Sequence, residues 1–399
     1  MTQKSTPKIC ILGGGFGGLY TALRLEQLPW QYGHKPEIVL VDQQDKFVFL
    51  PLLYELLTGE LESWEIAPPF AELLANTGIK FCQDLVTGID LESRQIQCQN
   101  HSDLSYDYLV LAMGGETPAQ GVPGVAEFSF PFRSLADAYQ LEEKLRLLEA
   151  SNREKIRVAV VGGGYSGVEL VCKIADRLGE RGRLRLVERS DGILRASPPF
   201  NQEAAMEALN QRGIWLDLET GVNEITADTI ALEYKGQVDV LPVDVVVWTV
   251  GLGISPMIKG LPLVQNERGQ LKTGATLQVL HHSEIFALGD LSECEDAEGQ
   301  KVPATAQVAF QQADYTAWNL WASITNRPLL PFRYQPLGEM ITLGLDNATL
   351  AGLGITLNGQ VAHVMRRLIY LYRLPTLEHQ IKVGFSWMTK PIRDVLLSS

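Results

Sequence analysis

Two stretches of this chain set glycines at the same three spacings between a short apolar run and a helical pattern. They are "KICILGGGFGGLYTALRL" (Lys8 to Leu25) and "KIRVAVVGGGYSGVELVCKIADRL" (Lys155 to Leu178). Gly13, Gly15 and Gly18 satisfy G-x-G-x-x-G in the first, and Gly162, Gly164 and Gly167 in the second. In such a turn the first glycine permits the tight bend, the second admits a pyrophosphate close to the backbone, and the third packs helix against strand. The helix N-terminus then offers unpaired N–H groups and the positive end of its dipole to phosphate.

A single copy is weak, because glycine-rich turns between strand and helix are common. Here each copy is followed by a strand ending in an acid. "EIVLVD" ends at Asp42, 24 residues after Gly18, and "RLRLVE" ends at Glu188, 21 residues after Gly167. An acid at that place holds the hydroxyls of an adenosine ribose, whereas a surface acid capping a strand leaves the glycines unexplained. The expected fold class is therefore α/β with two dinucleotide-binding, Rossmann-like domains. Two dinucleotides on one chain imply electron transfer between them, and the natural pairing is a bound flavin with a visiting nicotinamide.

At 399 residues the chain is long enough for two or three domains with substantial cores. Its net charge of −13 argues against nucleic acid as a partner. No stretch reaches the ~18 uninterrupted apolar residues of a membrane span. MTQKSTP, ahead of the first strand, reads as neither secretory signal nor transit peptide, which points to a bacterial member or a mature form. Cys10, Cys82, Cys98, Cys172 and Cys294 are scattered, form no C-x-x-C and read as reduced core thiols. No metal site is visible; His281 and His282 fall in a polar turn, and His34, His101, His363 and His379 stand alone.

With both fingerprints in place, the chain resembles the two-dinucleotide-binding-domain flavoproteins of the glutathione-reductase-like fold. "YDYLVLAMGGETP" (Tyr106 to Pro118) resembles the strand and turn where the chain leaves the first flavin half, and "DVVVWTVGL" (Asp244 to Leu252) its nicotinamide counterpart. "EIFALGDLSE" (Glu284 to Glu293) resembles the late flavin motif, whose acid, here Asp290, sits by the ribityl chain. The resemblance implies FAD at Gly13, Gly15, Gly17, Gly18, Asp42, Val86, Gly114 and Asp290. It implies NADH or NADPH, as substrate, at Gly162, Gly164, Gly167, Glu188 and Gly251. The expected domains are residues 1–150 and 276–335 for FAD, 151–275 for NAD(P)H, and 336–399 as a C-terminal domain.

Many members of this fold relay electrons through cysteines. This chain has no such pair, and none in "QQDKFVFLPLLYELLTGE", where peroxide-reducing relatives carry one. Disulfide, peroxide and sulfide substrates are accordingly disfavoured, and Cys172 reads as packing. "FLPLLYELLTGE" (Phe49 to Glu60) and "PATAQVAFQQADY" (Pro303 to Tyr315) resemble type II NAD(P)H:quinone oxidoreductases. Their quinone motif A-Q-x-A-x-Q is matched by Ala306, Gln307, Ala309 and Gln311, with Phe310 where many relatives carry His. A glutamine amide can donate a hydrogen bond to a quinone carbonyl as charge builds there; the plainer reading of Gln307, Gln311 and Gln312 is helix-surface polarity. Glu169 in "SGVEL" matches the family's acid near the start of the nicotinamide helix. The resemblance implies that it steers or supplies protons, although a carboxylate suits a helix N-terminus regardless.

"WEIAP" and "GVPGVAEFSFPFRSLADA" resemble the cyanobacterial and chloroplast branch, associated with reduction of demethylphylloquinone in phylloquinone synthesis and of plastoquinone. From Gly359 to Ser399 the chain carries +4, leaving −17 for the rest. Val361, Val364, Met365, Leu368 and Tyr372 recur there at helical spacing with Arg366 and Arg367 off the stripe, and Trp387, Met388, Ile392, Val395 and Leu396 follow. That pattern predicts basic amphipathic helices on an anionic lipid surface, where a long-tailed membrane quinone is found. A dimer or core interface is the alternative. The expected enzyme is a non-pumping two-electron NAD(P)H:quinone oxidoreductase, peripheral on the cytoplasmic face of a cell or thylakoid membrane, with a homodimer left open. Its rivals are a reductase of a small soluble electron carrier and a flavin-based redox sensor.

Overall fold

A computed structural model of the protein describes residues 6–31 and 35–397, with side chains described through residue 390. The chain forms two compact units. One holds the chain up to Phe47 together with Ala67–Glu116 and Leu252–Gln335, and the other holds Val48–Ile66, Thr117–Gly251 and the chain from Pro336.

In the first unit five parallel strands lie in the order Ile285–Ala287, Tyr108–Leu111, Lys8–Leu12, Glu37–Asp42, Lys80–Gln83. Lys8–Leu12 and Glu37–Asp42 are buried almost without interruption, as a parallel sheet covered on both faces requires. Strand order reverses between Lys8–Leu12 and Tyr108–Leu111, the switch point at which such sheets bind ligands. Helix Phe16–Gln27 packs along helix Ala306–Thr325, and an antiparallel meander, Val86–Asp90, Gln95–Cys98 and Leu104–Ser105, completes the unit.

The second unit repeats the plan. Its parallel sheet runs Trp215–Asp217, Gly182–Val187, Ile156–Val161, Val245–Trp248, Ser129–Phe130. The meander Thr220–Ile225, Thr229–Tyr234, Gln237–Pro242 shares a core of Val161, Val187, Ile225, Ile230 and Trp248 with that sheet. A further antiparallel sheet, Glu339–Thr342, Ala348–Gly352 and Ile355–Asn358, leads into helices Gly359–Arg373 and Leu377–Leu397. No helix among the described residues is long and apolar enough to cross a membrane.

Beyond the Val48–Ile66 segment, the compact units change over at 116/117, 251/252 and 335/336. Ser129–Phe130 pairs with Val246 and Val247, which carries residues 117–150 into the second unit. Gly253 bridges to Glu116, and Ile254, Ile258 and Leu271 enter the core of the first unit. Residues from Pro336 onward cluster with Val48–Ile66 and the second parallel sheet.

Candidate active site

The two glycine turns are built alike. Gly13 and Gly162 take φ of +98° and +113°, a conformation L side chains rarely adopt. A Cβ on Gly18 would lie 1.8 Å from the Gly13 carbonyl oxygen, and one on Gly167 would lie 1.8 Å from that of Gly162. Gly15 and Gly164 begin helices Phe16–Gln27 and Tyr165–Leu178 without any side-chain cap, and a Cβ on either meets nothing within 4 Å. Uncapped helix amides beside open backbone are the donor set a pyrophosphate needs, so both turns fit a dinucleotide.

The acids complete each turn. Asp42 Oδ2 accepts the Gly14 N–H at 2.6 Å, and Glu188 Oε2 accepts the Gly163 N–H at 2.6 Å. Burial raises the pKa of Asp42 against the opposing amides of Gln44 and Gly14. At Glu188 burial is outweighed by the Ser190 hydroxyl and by the Ser190 and Gly163 amides, so its pKa is lowered.

The other expected flavin residues follow the carboxyl ends of strands in the first sheet. Gly114, at φ +67°, comes after Tyr108–Leu111. Val86 follows Lys80–Gln83 and is buried in the core. Gly17 packs so closely that a Cβ would lie 2.7 Å from the Leu288 side chain. Asp290 lies in the single turn Gly289–Leu291 after Ile285–Ala287. Gln312, buried on helix Ala306–Thr325, pins that turn by accepting the Gly289 N–H at 2.8 Å. In the second unit Gly251, at φ +88°, comes just after Val245–Trp248.

Gln307 and Gln311 belong to the first unit and do structural work there. Gln307 accepts the Tyr334 hydroxyl at 2.9 Å. Gln311 brackets Gln335, donating to its carbonyl at 2.8 Å and accepting its N–H at 3.1 Å. An amide nitrogen carries two hydrogens, so that donation uses one of them. Phe310 lies edge-on to Tyr20, with ring centroids 4.6 Å apart.

Glu169 belongs to the second unit, and its setting differs from the helix-end carboxylate expected. It lies beyond the first turn of Tyr165–Leu178 and is 6% exposed. Its Oε1 accepts the Thr342 N–H at 2.9 Å and lies 3.9 Å from Arg366 Nη2. Burial pushes its pKa up to about 7 against the pull of Arg366 and the Thr342 amide.

Arg366 and Arg367 correct the sequence reading. Instead of facing lipid, Arg366 is fully buried on Glu55, and Arg367 is partly buried 3.3 Å from Glu60. Lys173, also fully buried, pairs with Glu60. Sequence reasoning passed over Glu55, Glu60 and Lys173; acids inside the apolar run "FLPLLYELLTGE" were the available signal, since a buried charge needs a partner. The stripe itself stands: Val361, Val364, Met365, Leu368 and Tyr372 are exposed, as are Leu377, Ile381, Phe385 and Met388. The side chains of Ile392, Val395 and Leu396 lie outside the described residues, as does His34. All five cysteines are free, with Cys172 buried.

A model of the pyridine nucleotide-disulphide oxidoreductase family matches residues 7–313, and the chain belongs to that family. A Synechocystis protein named demethylphylloquinone reductase NdbB is 56% identical over 394 residues, covering 98% of each chain. An Arabidopsis thaliana alternative NAD(P)H-ubiquinone oxidoreductase C1, chloroplastic/mitochondrial, is 46% identical over 97% of this chain and 82% of its own. Within the family, these relatives place the chain on the cyanobacterial and plastid branch of the type II NAD(P)H:quinone oxidoreductases. In fold it is similar to NDH2 from Plasmodium falciparum solved with NADH, with a TM-score of 0.85 at 19% identity over 97% of this chain and 98% of that one.

Proposed function

We propose that the chain is an FAD-dependent NAD(P)H:quinone oxidoreductase acting at a membrane surface, with a naphthoquinone such as demethylphylloquinone as its acceptor. The observation that carries this reading is the pair of matching glycine turns, each tied to its acid at 2.6 Å. The Synechocystis relative supports the choice of quinone by its name.

What FAD supplies when bound is two-electron hydride chemistry. The chain's residues bind, orient and manage protons. The turn at Gly13, Gly15 and Gly18, with Asp42, holds the flavin nucleotide; that at Gly162, Gly164 and Gly167, with Glu188, holds NAD(P)H. Gln312 keeps the Gly289–Leu291 turn in place beside the flavin. NAD(P)H, one proton and a quinone give NAD(P)+ and a quinol, so each turnover draws one proton from outside the hydride. Glu169, whose pKa of about 7 puts both of its forms within reach at neutral pH, supplies it.

The apolar residues on helices Gly359–Arg373 and Leu377–Leu397 support attachment to a lipid surface. We place that surface on the cytoplasmic side. Flotation with anionic vesicles, alongside turnover of a long-tailed quinone within them, tests the reading. Turnover without vesicle binding contradicts the surface, and binding without turnover contradicts the acceptor.

A further inference from the structure

We infer that Arg366, clamped by Glu55, is a positioning residue for Glu169, and that the three side chains form one charge-balanced unit around the proton that Glu169 delivers. The inference rests on the proposed role of Glu169 and names what governs it.

Three contacts fix the guanidinium. Nη1 donates to Glu55 Oε1 at 2.5 Å, Nη2 donates to the Pro51 carbonyl at 2.5 Å, and the group lies 4.8 Å from the ring centre of Tyr370. Arg366 and Glu55 are both fully buried. From this clamp Nη2 stands 3.9 Å from Glu169 Oε1, beyond a hydrogen bond but well inside the range of a buried charge. Arg366 Nε and Glu55 Oε2 are buried with no hydrogen-bond partner.

Glu169 is the acid of this cluster that titrates near neutrality, and His363, on the helix that carries Arg366, is held below its ordinary value by burial and then by the Arg367 charge. Lys173, on the helix that carries Glu169, shares the Glu60 carboxylate with Arg367. The phenols of Tyr54 and Tyr370 are both pushed upward, chiefly by burial, and stay neutral. Tyr165 and Cys172, also on that helix, are raised to about 12 by burial and stay protonated. With Glu169 protonated the Arg366–Glu55–Glu169 unit is neutral, and with Glu169 ionised it carries one negative charge. Removing either member of the clamp therefore shifts Glu169 in opposite directions. Without the Glu55 charge the ionised form becomes easier; without the Arg366 charge it becomes harder.

The test is an infrared pH titration of the protonated carboxyl band of Glu169 in flavin-loaded protein, assigned by its disappearance in Glu169→Gln. Glu55→Gln should lower the midpoint by at least about one pH unit, and Arg366→Gln should raise it by as much. Because Arg366→Gln strands a buried acid, the double variant Glu55→Gln/Arg366→Gln is measured as well, and its midpoint should return toward wild type. If Glu55→Gln leaves the midpoint unchanged or raises it, or if the double variant departs further than either single one, the inference is overturned. Quinone turnover against pH is read separately. Midpoints that move as expected while the pH–rate profile stays fixed uphold the coupling and remove Glu169 from the reaction.

Discussion

Glu188 accepts the backbone N–H of Gly163 at 2.6 Å, which ties the acid at one strand end to the glycine turn at the next. Its other oxygen accepts the Ser190 N–H at 2.7 Å. These bonds hold the carboxylate ionised where a ribose 2′-hydroxyl would be recognised and a 2′-phosphate repelled. NADH is therefore expected over NADPH, although Arg189 next in sequence offers a phosphate some compensation. Glu188→Gln keeps an acceptor for Gly163 and removes the charge. It should raise the ratio of kcat/KM for NADPH over NADH by about tenfold, or ~1.4 kcal/mol. Wild-type protein that already favours NADPH several-fold contradicts the assignment.

The proposed assignment gives flavin to the first glycine turn and nicotinamide to the second. A side chain on Gly15 or on Gly164 has room within the protein, so its effect falls on the ligand. Gly15→Val should fold and purify colourless. Gly164→Val should purify yellow and fail to oxidise NADH. Absorbance of the purified variants near the flavin bands reads both outcomes, and the reverse pattern exchanges the two sites.

Both glycine turns and their acids were legible because each depends on local chain geometry that spacing alone encodes. The first two strands of each parallel sheet were legible too, since a short apolar run leads into each turn and another ends at each acid. What spacing did not reveal was where the chain crosses between units. Ser129–Phe130 joins the second sheet through only two residue pairs, too short a run to read as a strand. Arg366 was illegible for a related reason. On a helical wheel it lies off the apolar stripe, and its burial depends on Glu55 and Pro51, far away in sequence. The glutamines were read as quinone hydrogen-bond donors, and spacing gave no sign that packing also uses them to hold Tyr334, Gln335 and Gly289.

Stability should depend on pH through Glu169. Its pKa is raised from 4.5 to about 7 in the folded chain, so between those values the folded state binds more protons than the unfolded one. The associated stability is complete below about pH 4.5 and is lost as pH rises through 7. Glu169→Gln escapes that loss while keeping an acceptor for the Thr342 N–H. The Tm of the variant relative to wild type should thus climb between pH 5 and pH 8. A difference that is flat or falls with pH contradicts the raised pKa.

The proposed attachment to lipid rests on apolar side chains more than on the buried Arg366. Val364, Leu368 and Tyr372 are all exposed on helix Gly359–Arg373. Changing the three to Gln should weaken flotation with anionic vesicles at least about tenfold, given ~1.5 kcal/mol or more for each apolar side chain buried. Turnover of a short, water-soluble quinone should persist, and turnover of a long-tailed quinone in vesicles should fall. If flavin content falls too, the stripe is packing within the protein or between its copies.

The central claim is that electrons pass from a nicotinamide to a quinone on this chain. Purified, flavin-loaded protein is supplied with NADH and, in parallel, a short-chain naphthoquinone or a small iron–sulfur carrier protein, and NADH oxidation is followed at 340 nm. Sustained turnover with the naphthoquinone is expected, with one quinol formed per NADH consumed and negligible turnover on the carrier. Flavin bleaching by NADH followed by no quinone turnover, or turnover confined to the carrier protein, contradicts the claim.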